Sequence, residues 1–251
     1  MYSSLSALLS DKKGGEVFTC FSLWHIFYIA LAVVAVAVLL PALRGKGRGV
    51  WNKTAKVLIN IAFSLYVLDF FAMPLAYGEI DVEKLPFHAC TAMCVTSFLS
   101  NHSERLSTYR RSLGLLAFIS NFVYLVYPAG VMWHAVHPTS YRVVQTLIFH
   151  AVMTVYGLIV IVIERDSFRW RDCYIDALTL GAMTLWALLG NLIYNSDQRL
   201  YNWFFVVRDP FYLIPEHISV FVMPLLNVLV FFGVEMLMYL IVIKLKKKNK
   251  L

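Results

Sequence analysis

An all-α, polytopic membrane bundle of seven helices is the fold this chain predicts. Three observations predict it. Apolar residues make up 60% of the 251 and charged residues only 15%, against about 25% charged in a soluble globular domain. Mean hydropathy is +0.68. The apolar residues form seven long runs without the alternating polarity of a transmembrane β-barrel, and helices satisfy their own backbone polar groups in lipid.

The spans are expected at 22–43, 54–77, 85–100, 111–127, 140–163, 173–194 and 216–243. They form one membrane domain, 22–243, between an N-terminal tail, 1–21, and a basic tail, 244–251. The first opens at Ser22, after Phe21, and the second follows a basic loop. The third opens at Leu85-Pro86, where proline suits a first helical turn, which would set Cys90 about one turn in. The third and fourth are short for a bilayer that asks for about 20 residues, so tilt, thinning or shielding by neighbours is expected there. The fifth, sixth and seventh meet the length. Between the last two lies the aromatic stretch YNWFFVVRDPFYLIP, expected in the interface where Trp and Tyr are favoured. The segment MYSSLSALLS lacks a basic n-region, so no cleavable signal peptide is expected.

Orientation follows from the basic residues. Of the 22 Lys and Arg, 16 lie on the side of the 1–2, 3–4 and 5–6 loops and the tail. The richer side is cytoplasmic. The N-terminus is therefore expected outside, the C-terminus inside, and the protein in the cell membrane. The net charge of +7 reflects these loops, so nucleic acid is not an expected partner; membrane lipids are. The oligomeric state is left open.

Ionisable groups in a membrane core are costly and face a protein interior or a wet cavity. His25, Asp69, His88, Cys90, Cys94, Asn121, Asn191 and Tyr194 are all expected in the outer half. His150 stands ten residues into its span, about 15 Å along the axis. Glu235 is the exception, in the inner half, where a structural role is expected. The convergence points to one outward-opening cavity. Each residue also has a plain packing role. His25, Asn121 and Asn191 suit interhelical hydrogen bonds, and cysteine is readily buried. The combination of a Cys near a helix start, which favours thiolate, with an imidazole on another span fits a Cys–His nucleophile pair. Cys20, Cys90, Cys94 and Cys173 show no zinc spacing, so neither metal nor cofactor is expected, although Cys20 lies on the side where a disulfide to Cys90 or Cys94 is conceivable.

At Leu85, Pro86, His88 and Cys90, a Leu-Pro-x-His-x-Cys element, the chain resembles the YwaF-like bacterial membrane proteins, related to the transmembrane protein 164 family. Phe21, Ser22 and His25, then Tyr127-Pro128, His150 and Asn191 extend the resemblance over nearly the whole length. The stretch Tyr201, Asn202, Trp203, Phe204 departs from the family's usual order. The resemblance implies seven spans and, from its eukaryotic branch, acyl transfer with Cys90 and His150 as the reactive pair. On that reading Cys90 attacks an acyl ester, with His150 as base and then acid. Asn121 or Asn191 donates to the oxyanion. Asp69 or His25 orients the imidazole, with His88 beside them. Tyr194, Asn202 and Trp203 contact substrate. A small-solute or proton-coupled transporter, or a structural or sensory membrane protein, is the alternative, and sulfur at position 90 separates it from the enzyme.

Overall fold

The computed structural model describes residues 15–78, 81–132, 134–196, 200–209 and 213–248, with backbone alone at 76, 77 and 248. Most of the N-terminal tail, with Lys12 and Lys13, lies outside the described residues, as do Arg199, part of the aromatic loop, and Lys250. All the regular structure described is helical. The α-helices are α1 (Leu23–Leu43), α2 (Arg48–Tyr77), α3 (Ala89–His102), α4 (Glu104–Ser107), α5 (Arg110–Val126), α6 (Ala129–Met132), α7 (Tyr141–Ile163), α8 (Cys173–Tyr194) and α9 (Glu216–Lys248). Short 3₁₀ turns occupy Val82–Lys84, Arg165–Ser167, Trp170–Asp172 and Trp203–Phe205.

Six segments, built on α1, α2, α5, α7, α8 and α9, are long and apolar enough to cross a membrane. The expected third span differs. It yields α3, with only 14 residues, about 21 Å long at the helical rise. Its limits have local causes. The Phe87 N–H turns back onto the Leu85 carbonyl at 2.7 Å, and His88 is extended (φ −73°, ψ 146°). The helix therefore opens at Ala89, after Pro86 rather than around it, and Cys90 becomes its second residue. At the other end Ser103 is extended again (φ −126°, ψ 123°). Two helices overrun their expected limits. α2 starts at Arg48 and runs 30 residues, and α9 runs 33 residues, carrying Lys244, Lys246 and Lys247 on its last turns. Lysine is a good helix former, and its long stem takes the charge away from the apolar face.

α7 is the central helix. Buried residues make up 72% of its most apolar window, against 17% for α1 and for α9. α5 packs along it more extensively than any other pair of helices. Glycine permits the approach: a Cβ on Gly157 would stand 2.5 Å from the Phe118 backbone nitrogen, a small-residue contact of the kind that joins helices in lipid. α2 and α1 also lie against α7, α3 fits against α5 and α2, and α8 pairs with α9. α1 and α9 turn Leu23, Val33, Val38, Phe221, Leu225 and Leu229 outward, as lipid-facing helices do, because lipid chains are as apolar as these side chains.

Candidate functional site

One cavity of about 250 Å³ gathers six of the residues that the sequence singled out. Asp69, His88, Cys90, His150, Asn202 and Trp203 line it. Three elements bring them together: the C-terminal part of α2, the start of α3 and the middle of α7. The turn after α8 closes one side.

His150 is 4% exposed, and its two nitrogens differ. Nδ1 lies 2.6 Å from the Thr146 carbonyl, one turn earlier on α7. A carbonyl only accepts, so Nδ1 carries the hydrogen and Nε2 bears the lone pair. Nε2 is buried and has no hydrogen-bond partner among the described residues. Tyr124 of α5 stacks on the imidazole, with ring centroids 3.9 Å apart and planes 13° from parallel, and Phe149 meets it edge-on. Ring orientation and tautomer are thus set by the backbone and by packing.

Cys90 is half-buried on the first turn of α3. His88, the residue before that helix, makes no side-chain cap bond to it, so first-turn N–H groups stay available around the sulfur. Instead His88 Nδ1 accepts the Phe204 N–H at 3.3 Å, pinning the 200–209 turn to the mouth of α3. Phe204 and Phe205 hold left-handed backbone, φ 55° and 53°. Non-glycine residues rarely do so unless their surroundings impose it. Here Asn227 of α9 donates to both of their carbonyls at 2.8 Å. The turn was expected in the interface, yet Trp203 and Phe204 are buried, because Asn191, Asn202 and Asn227 satisfy its backbone inside the bundle.

Charges gather at the rim. Asp69, 2% exposed, accepts from Tyr141 Oη at 2.8 Å and pairs with Lys84 Nζ at 3.0 Å. Arg142 stands 3.4 Å from Asp81. Partial burial, then the neighbouring Asp81, push the Glu83 carboxyl up from its ordinary range, against the pull of Arg142 and Lys84.

Other residues named from the sequence stand elsewhere. His25 accepts the Phe21 N–H on Nδ1 at 2.9 Å and donates through Nε2 to the Leu125 carbonyl at 2.8 Å, tying the entry of α1 to the end of α5. Asn121 donates to Ala117 and Ser120 on its own helix. Asn191 grips Trp203 by both backbone groups, at 3.1 and 3.2 Å, and so supports the cavity wall from behind. Tyr194 rests on Phe87 and Trp203. Asn202 lines the cavity but also folds its own turn, bonding Val207 and Arg208. Cys94 is buried in the core, and Cys20 points at the Val126 carbonyl; all four cysteines are free thiols. Among the described residues no three His, Cys, Asp or Glu side chains cluster as metal ligands do.

Tyr124, Thr146, Lys84 and Tyr141 were not singled out as site residues. The Thr146 contact carries no signal in the sequence, since its partner atom is a backbone carbonyl that any residue one turn back supplies. Nothing local marks Tyr124, whose contact with His150 depends on how α5 crosses α7.

Neither a curated protein nor a solved structure matches the chain. A family model does, over residues 20–246, a span that contains every helix bounding the cavity. With an all-helical membrane bundle on that scale, the chain belongs to the TMEM164 family.

Proposed function

We propose that this protein is a seven-span enzyme of the cell membrane, N-terminus outside and C-terminus cytoplasmic, that transfers or hydrolyses acyl groups of membrane lipids. The single observation that carries the chemistry is His150. Its Nδ1 is committed to a carbonyl, its Nε2 is buried and unpartnered, and it shares a cavity with Cys90. These features suit a general base held in one tautomer in the same cavity as a candidate nucleophile, although no hydrogen bond joins the two side chains.

The steps follow. His150 Nε2 takes the Cys90 proton. The thiolate attacks the ester carbonyl, forming a C–S bond, and first-turn N–H groups of α3 donate to the oxyanion. As the C–O bond breaks, the imidazolium gives its proton to the leaving alkoxide. A second alcohol, or water, then loses its proton to Nε2 and attacks the thioester; sulfur leaves and regains a proton. Asn121 and Asn191 have their amide groups engaged elsewhere, so backbone donors suit the oxyanion better. Thr146, rather than Asp69 or His25, is the group that holds the imidazole.

Seven crossings are supported by the path from α3 to α5. α3 starts at the cavity, beside the outer part of α2, whereas Arg110 at the start of α5 donates to Asn52 near the start of α2, at 2.9 Å. The chain between them traverses the bundle although α3 alone is short. A reporter after Leu251 is expected to read cytoplasmic, and one in the 78–84 loop external; the reverse result reorients the cavity.

Lipid profiling of membranes carrying wild-type protein, Cys90→Ala or Cys90→Ser tests the chemistry. Both variants are expected to abolish the acyl-chain changes that the wild type produces. A lipid profile that is the same with wild-type protein and with Cys90→Ala favours the transport reading, which does not need sulfur.

A further inference from the structure

A second buried polar cluster lies at the other end of the bundle, where α5 and α8 begin. Arg111, on the first turn of α5, donates to the Ser167 and Asp172 carbonyls at 2.9 Å each. It pairs with Asp176 of α8 at 3.1 Å. Tyr239 of α9 donates a short hydrogen bond to the same Asp176 oxygen. One turn before Tyr239 on the same helix face stands Glu235. It is 0% exposed, and neither of its carboxyl oxygens meets a hydrogen-bond donor among the described residues.

Two carboxyls thus share one set of compensating groups. Asp176 has the guanidinium, the tyrosine hydroxyl and the first turn of α8, where a helix dipole favours negative charge. Its charge and that of Arg111 cancel. Glu235 would add a second negative charge with no cation to meet it. The titratable groups that bear on it are Asp176 on α8 and Arg111 on α5; Tyr239 stands one turn along its own helix, with Cys173 of α8 near that tyrosine and Asp172 near Arg111. Lys246 is engaged with Asp166 farther along α9. Arg111 is the sole cation of the cluster among the described residues, and Asp176 holds it. A buried carboxylate without a partner is too costly to persist; where two carboxyls compete for one cation, the uncompensated one stays neutral.

We propose that Glu235 is a proton-binding site of this protein, occupied at neutral pH, and that the bound proton keeps α9 seated against α5 and α8. The inference does not depend on the acyl-transfer reading, since none of these residues lines the cavity. The folded protein then holds one proton more than the unfolded chain, so its stability falls as rising pH removes that proton.

Infrared spectroscopy of the purified full-length protein tests this directly. The wild type at neutral pH is expected to show the C=O stretch of a protonated carboxylic acid, shifting on exchange into D₂O. Glu235→Gln is expected to lose the band, and Glu235→Asp to move it, which keeps the test open if the Gln variant does not fold. Absence of the band in the wild type overturns the proposal. So does its survival in Glu235→Gln, which makes Asp176 the carrier, or its loss on adding sodium at fixed pH, which makes the occupant a metal cation. On raising the pH, the wild-type band should vanish together with a drop in melting temperature that Glu235→Gln does not show. A wild-type melting temperature unmoved as the band disappears overturns the seating role.

Discussion

The two ends of the bundle handle buried polar groups differently. At the cavity, His150 keeps one nitrogen unpartnered beside about 250 Å³ of open space. At the Arg111–Asp176–Tyr239 cluster, Arg111 and Tyr239 both bond Asp176 Oδ2, while Arg111 Nε and Asp176 Oδ1 have no partner among the described residues, and the aromatic rings of Phe168 and Trp170 close over Tyr239. An orphan atom facing open space is a place for a ligand to bond. An orphan carboxyl in a packed interior is a place for a proton. The same observation, a buried atom without a partner, therefore has two meanings, and the space around it decides which applies.

The comparison can be broken by substitution at either end. The largest effect belongs to the cavity. Cys90→Ala and His150→Ala should each lower acyl transfer by about 10⁴-fold or more, and the double variant by no more than either alone, because residues acting as one unit are non-additive. Kinetics on the purified protein check this; additive losses would separate the pair. At the cluster, Arg111→Met should cost about 3–5 kcal/mol of stability, the usual price of stranding a buried partner. Thermal unfolding in detergent reads it, and adding Asp176→Asn should recover part of the loss. Between the two ends lies the α5–α7 contact. Gly157→Val would press a side chain onto the Phe118 backbone and should cost about 1–3 kcal/mol in the same melting assay. The smallest effect is expected from Asn191→Ala. Removing its two bonds to Trp203 should cost about 1–2 kcal/mol. It should also raise KM more than it lowers kcat, since Asn191 supports the wall of the cavity and not the reacting groups.

Much of the molecule was legible in the sequence. Apolar runs of membrane length mark helices because lipid offers the backbone no other partner. Cys90 and His150 stood out because reactive groups in such runs are rare. Three helix limits did not follow from composition: α2 begins at Arg48, ahead of its apolar run, α3 is cut short by the extended backbone at His88 and Ser103, and α9 continues through its lysines. These limits depend on backbone geometry and side-chain reach, which hydropathy does not register.

Sequence alone thus determined the membrane class, the helical content and the residues rich in chemistry, because burial in lipid constrains each segment locally. The tertiary structure decided which of those residues share a space. Asn191 and His25 are buried polar groups like Asp69 and His150, yet their partners are backbone groups that other segments bring to them. The aromatic 201–215 stretch reads as an interfacial loop, but asparagines on α8 and α9 draw its Trp203–Phe205 turn into the bundle. Glu235 lacks a partner among the described residues because Tyr239, one turn along, and Arg111, on another helix, are both held by Asp176. Each outcome depends on contacts between residues distant in the chain, and the packing of helices supplies them.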